Sequence, residues 1–220
     1  MKSFISNHQF NEITRLMKYF QHVLKFNGDK VIIAAAKEIK NEEIKGIFCS
    51  HPENHILQVD IGIVHEPEDV DIYLKRLEAL TFGIMPVTEN QIRKIFKKEK
   101  KLKIPTVLVS ERKSYYGWVD QGKNKLYVAY WLKNKLIGMI CDIEKTQVSN
   151  SRMCSICGYM DDNNEVVSVS VRCKTLGKDN YHVIGFNICK DSSGCNSRIT
   201  SVQPLENLLK KVNRLKINDE

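Results

Sequence analysis

Two pairs of cysteines near the carboxyl end constrain this chain more than any other feature. Cys154-Ser155-Ile156-Cys157 puts two thiols on one turn, and Cys189-Lys190-Asp191-Ser192-Ser193-Gly194-Cys195 supplies a second pair. A two-residue spacer lets both sulfurs of a turn reach one tetrahedral Zn²⁺, and the second pair completes its shell. Four thiolates leave no coordination position for water or substrate, so a single, structural zinc ion is expected rather than a catalytic one. The first pair precedes an expected hairpin, Glu165–Cys173 and Tyr181–Ile188 around a Gly177-Lys178-Asp179-Asn180 turn. The second pair follows it, with Cys195 in the first turn of a short helix, where the helix dipole favours a thiolate. Knuckle, hairpin and helix start are the parts of a treble-clef zinc finger. Cys173 is the rival ligand, but it lacks the second Cys-x-x-Cys that a zinc ribbon requires. With Cys49 and Cys141 it is expected to pack as a small apolar side chain. His182 could replace a cysteine, but at the start of a strand a surface role is expected.

The remainder of the chain sets the class. Its 220 residues suit one large domain or two small ones, and its net charge of +8 favours an acidic partner. Met1 to His8 turns polar too early for an export signal, and no apolar run approaches bilayer-spanning length. With seven cysteines, an odd number, these features lead us to expect a reducing cytoplasm, metal rather than disulfides, and no membrane.

The first half has helical periodicity. Phe10, Ile13, Met17, Phe20 and Leu24 share one face of a helix over 8–25. Asp29 caps a second helix to about Phe48, with Val31, Ile32, Ala35, Ile39, Ile44 and Ile47 expected inward. A further helix follows Pro67, its acidic Glu66, Glu68, Asp69 and Asp71 placed for capping. Thr88 and Gln91 form a capping box for a basic helix expected to run to Pro105. Beyond it the period falls to two. Strands are expected at Thr106–Ser110, Tyr115–Val119, Lys125–Leu132 and Lys135–Ile143, the third of these covered on both faces. An amphipathic helix over 204–215 closes the chain. The expected fold is thus α+β: an N-terminal helical bundle (1–83), then a small α/β domain (84–220) holding the four-cysteine treble-clef finger at about 150–205.

Two surfaces invite a binding role. Arg93, Lys94, Lys97, Lys98, Lys100, Lys101 and Lys103 face a single acid, Glu99, and suit an anionic contact as well as a plainly solvated face. Tyr115, Tyr116, Trp118, Tyr127, Tyr130 and Trp131 could stack on bases, but their density on strands favours core packing. No phosphate loop, zincin helix, nucleophile elbow or deaminase signature is present, so a binding protein is expected rather than an enzyme.

Several motifs in order resemble a known family. They are His8-Gln9-Phe10-Asn11, then Gln91-Ile92-Arg93-Lys94-Ile95-Phe96-Lys97-Lys98, then Lys101-Leu102-Lys103-Ile104-Pro105 and Gly117-Trp118. Cys154-Ser155-Ile156-Cys157, Ile188-Cys189-Lys190-Asp191-Ser192 and Cys195-Asn196 follow, ahead of a leucine-bearing terminal helix. The chain resembles the FusB/FusC-type fusidic acid resistance proteins and the related elongation factor G-binding proteins. The resemblance implies binding to elongation factor G and its release from the ribosome under fusidic acid, without modification of the drug. It implies the ligand set Cys154, Cys157, Cys189 and Cys195. It also implies a partner surface near the finger, at Met153, Phe186, Asn187, Lys190 and Leu208. Separately from the resemblance, the charge of the basic helix makes Arg93, Lys94, Lys97 and Lys98 a further candidate contact to acid or ribosomal RNA. Met153 stands where relatives carry an aromatic, and Asn187 where they carry a tyrosine-like residue. A monomer is expected. The other reading is an RNA- or ribosome-binding zinc protein without a resistance role.

Overall fold

The computed structural model describes residues 3–105, 112–145, 151–161, 165–173 and 182–215. The strand expected at Thr106–Ser110 and the turn expected at Gly177–Asn180 lie outside them. The chain divides into two compact units, Met1–Phe82 and Gly83–Glu220.

The first unit is helical apart from a two-stranded parallel ladder, β1 (Ile5–Ser6) with β2 (Thr81–Phe82). Between these strands run α1 (Asn7–Phe26), α2 (Lys30–Ile47), α3 (Glu53–Gln58) and α4 (Asp69–Glu78). Helix α1 starts in a capping box of Ser6 and Gln9 and buries Ile13, Leu16, Met17 and Phe20. Asp69, the first residue of α4, accepts the backbone N–H groups of His65 and Glu66 at 2.8 and 2.9 Å and so holds the preceding loop, while the N-cap Glu68 makes no side-chain cap hydrogen bond. Helix α2 departs from expectation. Among the described residues, it fully buries Ile44 alone, while Val31, Ile32 and Ile39 stay exposed. Its inner side carries polar residues that hold the 60–62 loop. Asn41 accepts from the Ile61 N–H at 3.1 Å, Lys37 donates to the Gly62 carbonyl at 3.0 Å, and Lys45 pairs with Asp60 at 2.6 Å. Cys49, expected to pack, is exposed just beyond this helix.

The second unit starts with α5 (Glu89–Ile95), capped by the Thr88–Gln91 box. An antiparallel sheet follows, with strand order β3-β4-β5-β8-β9. Its strands are β3 (Tyr116–Asp120), β4 (Lys125–Leu132), β5 (Lys135–Ile143), β8 (Val166–Cys173) and β9 (His182–Cys189). The small hairpin β6 (Arg152–Met153) and β7 (Met160–Asp161) sits between β5 and β8 in sequence, and α6 (Ser192–Arg198) and α7 (Gln203–Asn213) end the described chain. Alternation along β4 sends Tyr127 and Ala129 to one face and Leu126 and Val128 to the other, both buried, as expected for a strand covered twice. One face is covered by α5 and the loop after it. There Phe96 stands edge-on to Trp118 and Tyr127, which stack on each other with centroids 5.1 Å apart. These aromatics are core. The opposite face is covered by α7, through Leu205, Leu209 and Val212, and holds the buried cysteines.

The basic helix is shorter than expected: α5 stops at Ile95, with Phe96 as its C-cap, and does not continue to Pro105. The bare Gly138 lets Phe96 onto the sheet, since a Cβ there would lie 2.6 Å from the Phe96 ring. Three residues on, Glu99 is drawn to Lys125 at 2.8 Å and the Tyr127 hydroxyl at 2.7 Å. Both attachments require the chain to leave the helical path. Among the described residues, no helix is long and apolar enough to cross a membrane.

Candidate metal centre

Three segments converge on the cysteine cluster. The knuckle Cys154–Gly158 is closed by two backbone bonds, Gly158 N–H to the Cys154 carbonyl at 2.9 Å and Cys154 N–H to the Tyr159 carbonyl at 2.8 Å. Gly158 takes φ 73°, a left-handed turn that L side chains disfavour. The end of β9 delivers Cys189. Helix α6 delivers Cys195 in its first turn, after Asp191 has capped it by accepting the N–H groups of Ser193 and Gly194 at 2.9 and 2.8 Å.

The four sulfurs lie within 4.8 Å of one another. Cys154 Sγ is 4.0 Å from Cys195 Sγ, and Cys157 Sγ is 3.6 Å from Cys189 Sγ. Tetrahedral Zn–S bonds of about 2.3 Å place sulfurs about 3.8 Å apart, so the cluster fits zinc without rearrangement. Cys154, Cys189 and Cys195 are buried and Cys157 half-buried, which suits a closed structural ion. Charge makes the same point. The Cys157 thiol is held well below the usual range by hydrogen bonds from Cys154, Cys189 and Cys195. Cys189 and Cys195 are pushed far above it, chiefly because they lie against Cys154 and Cys157. Four thiolates this close need a cation among them.

The rivals are excluded by register. Val166 pairs with Cys189 at one end of the β8–β9 hairpin, and Cys173 pairs with His182 at the other. Seven residues of strand, about 23 Å, separate the two ends.

Around the sulfurs sits a shell of polar groups that spacing alone did not disclose. Backbone N–H groups of Ile156 and Cys189 point at Cys154 Sγ, at 3.5 and 3.4 Å. Buried Asn196 ties α6 to the start of β3, accepting from Ser114 and Tyr115 N–H at 2.7 and 3.1 Å and donating to the Tyr115 carbonyl at 3.1 Å. Ser192 donates to the Gly117 carbonyl at 2.6 Å, an approach that a Cβ at Gly117 would block. The Tyr115 hydroxyl is buried beside the Cys195 sulfur; burial, and then Cys195, raise its pKa well above the ordinary value. Arg198 Nη2 donates to Cys189 Sγ at 3.4 Å, and its guanidinium lies 3.9 Å from the Tyr159 ring centre. The signals for these residues were present but slight: Asn196 adjoins a ligand, and Arg198 follows Cys195 by three residues on one helical face.

The candidate partner residues fall into separate groups. Met153 is exposed and pairs across the small hairpin with exposed Met160. Asn187 accepts the Ser155 N–H on its carbonyl at 2.8 Å and the Ser168 hydroxyl on its side chain at 2.9 Å, so it supports the knuckle. Lys190 is exposed directly beyond Cys189, while Phe186 and Leu208 are half-buried against the core. Arg93, Lys94, Lys97 and Lys98 are exposed on and just after α5, whose apolar side packs on the sheet face opposite the cysteines. Arg93 is already paired with Glu89.

Comparison with known proteins gives two matches of use. The family model described as the FBP C-terminal treble-clef zinc-finger matches residues 91–217, more than half of the chain. A solved structure of the fusidic acid resistance protein FusC superposes with a TM-score of 0.75, covering 95% of this chain and 97% of that one at 23% identity. At that identity the likeness is one of fold. No curated protein matches significantly by sequence. With the sulfur geometry, these matches give a treble-clef finger that holds one structural zinc ion.

Proposed function

Because this chain belongs to the FBP C-terminal treble-clef zinc-finger family, we propose that it is a non-catalytic adaptor that binds translation elongation factor G and promotes its release from the ribosome, protecting translation against fusidic acid. The FusB/FusC-type resemblance of its motifs rests on the same family match and on the fold shared with FusC. The observation that carries the reading is the form of the finger. A closed four-sulfur cluster offers no catalytic position, and it fixes an exposed rim that includes Met153 and Lys190. Zinc in this role holds a docking surface. An adaptor of this kind speeds release by binding best to the factor conformation that dissociates, with no bond made or broken. The proposed protein acts as a cytoplasmic monomer.

Zinc-loaded protein mixed with elongation factor G at micromolar concentration is expected to co-elute from a sizing column as a one-to-one complex. Its expression in a drug-sensitive bacterium is expected to raise the inhibitory concentration of fusidic acid. Absence of the complex at that concentration removes the proposal. A second reading, an RNA- or ribosome-binding protein, has one observation in its favour: the exposed cations Lys94, Lys97 and Lys98 on a chain of net charge +8. It predicts binding to ribosomal RNA that weakens steeply with salt, whereas the complex with a folded factor depends on salt less.

A further inference from the structure

Arg198 stands out as a cation that the zinc ligands and the proposed docking surface leave unexplained. It lies in the last turn of α6, one helical step from Cys195, and so on the same face. Its Nη2 donates to Cys189 Sγ at 3.4 Å. Its guanidinium carbon sits 3.9 Å from the Tyr159 ring centre, a cation–π distance. The remaining side of the slot is Gly194. A Cβ there would lie 3.3 and 3.4 Å from the two terminal nitrogens of Arg198, so a side chain would crowd the guanidinium. Among the described residues, no carboxylate forms an ion pair with Arg198. Glu165, Asp191 and the exposed Lys190 line the same cleft, about 580 Å³ in volume, which opens onto Cys189.

Four thiolates around one Zn²⁺ carry a net charge of −2. Their weakest point is the side reached by solvent, where a competing chelator first meets a sulfur. The half-buried Cys157, with Cys189 beside that cleft, forms this side. A guanidinium hydrogen-bonded to Cys189 Sγ fixes that sulfur and blocks the approach. Neighbours of this kind also orient the ligands themselves.

We propose that Arg198, clamped between the Tyr159 ring and the Cys189 sulfur, is the positioning residue that retains the zinc ion, a cationic clamp that holds the Cys189 sulfur in place and covers the open side of the site, and so slows metal release. The proposal concerns this chain's hold on its metal and stands whether or not elongation factor G is the partner.

The test uses the full zinc-loaded chain and a chromophoric chelator in excess, reading the rate of zinc release at pH 7.5. Arg198→Gln is expected to release zinc about 10–100-fold faster than wild type, the range typical of lost outer-shell partners. Arg198→Lys, which keeps the charge but loses the flat fork, is expected to fall between the two. Tyr159→Leu, which loosens the clamp, is expected to shift release in the same direction. In the cobalt-substituted protein, the sulfur-to-metal charge-transfer band is expected to move in Arg198→Gln while far-ultraviolet circular dichroism stays unchanged. Release at the wild-type rate from Arg198→Gln overturns the proposal. So does acceleration shared equally by Arg198→Lys with an unmoved charge-transfer band, which reports lost packing rather than a lost hold on the Cys189 sulfur. Should Arg198→Gln fail to fold, the rates of Arg198→Lys and Tyr159→Leu decide in its place.

Discussion

The turn that presents Cys154 and Cys157 ends on Gly158 at φ 73°, with open space where a Cβ would stand. A substitution there therefore meets no neighbour and acts through the backbone alone. Left-handed φ costs an L residue about 1–2 kcal/mol, and the knuckle has two backbone bonds that hold this turn in place. Gly158→Ala is expected to lower zinc affinity about tenfold, as read by competition with a calibrated chelator, without changing the number of zinc ions bound. At this scale the sequence was legible where chemistry has a spacing. Cys154 and Cys157 could be paired because thiols with a two-residue spacer have few other uses, and Cys189 and Cys195, either side of a helix start, completed the set. Asn196 and Arg198 had no such signature. A lone Asn or Arg on a short polar helix looks like surface until the fold brings Tyr115 over the first and Cys189 under the second.

Elements were legible where one face is purely apolar and opaque where polar groups do the packing. β4 and β5 match their expected ends residue for residue, since β4 is core on both faces and every second side chain of β5 is core. Helix α2 misled because its most apolar residues face outward, while Asn41, Lys37 and Lys45 hold the loop at 60–62. Helix α5 misled because nothing local marks Phe96 as an end; Gly138 and Glu99's partners on β4 decide it. The α2 arrangement has a pH signature. Hydrogen bonding to Lys45, then to Asn41 and the Gly62 N–H, holds the Asp60 carboxyl at about 2. A depressed carboxylate pKa contributes stability above its ordinary value of 3.8, and that contribution is lost as pH falls through about 2. Asp60 is partly exposed, so solvent screening limits its worth to about 1 kcal/mol. Asp60→Asn is expected to reduce amide-exchange protection in the 59–64 loop at pH 7. Its difference from wild type should narrow as pH falls from 4 toward 2, once intrinsic rates are corrected. A difference that holds constant to pH 2 would assign the loop to packing instead.

The described residues hold three apolar clusters and one metal site. The first unit packs Ile13, Met17, Phe20, Ile44 and Tyr73 together, with no metal-binding group among its described residues. The second packs its sheet on both faces and includes three of the four cysteines in one of those cores. Structural zinc contributes about 10–16 kcal/mol of apparent binding free energy, comparable to the entire stability of a domain. The second unit therefore depends on its ion, and the first does not. Cys189→Ser, or exhaustive chelation of the wild type, is expected to abolish one calorimetric transition and leave another near its original midpoint. Hydrogen exchange should locate the surviving protection in α1, α2 and α4, with protection lost from β8, β9 and α6. Acid acts on the same linkage with a defined sign: thiolates must bind protons to release the metal, so zinc occupancy falls as pH falls and the second unit loses stability with it. If both units melt together on chelation, the free energy of the zinc site is shared by the whole chain. If neither melts, the sulfur cluster is held by packing alone, and the ion is a passenger.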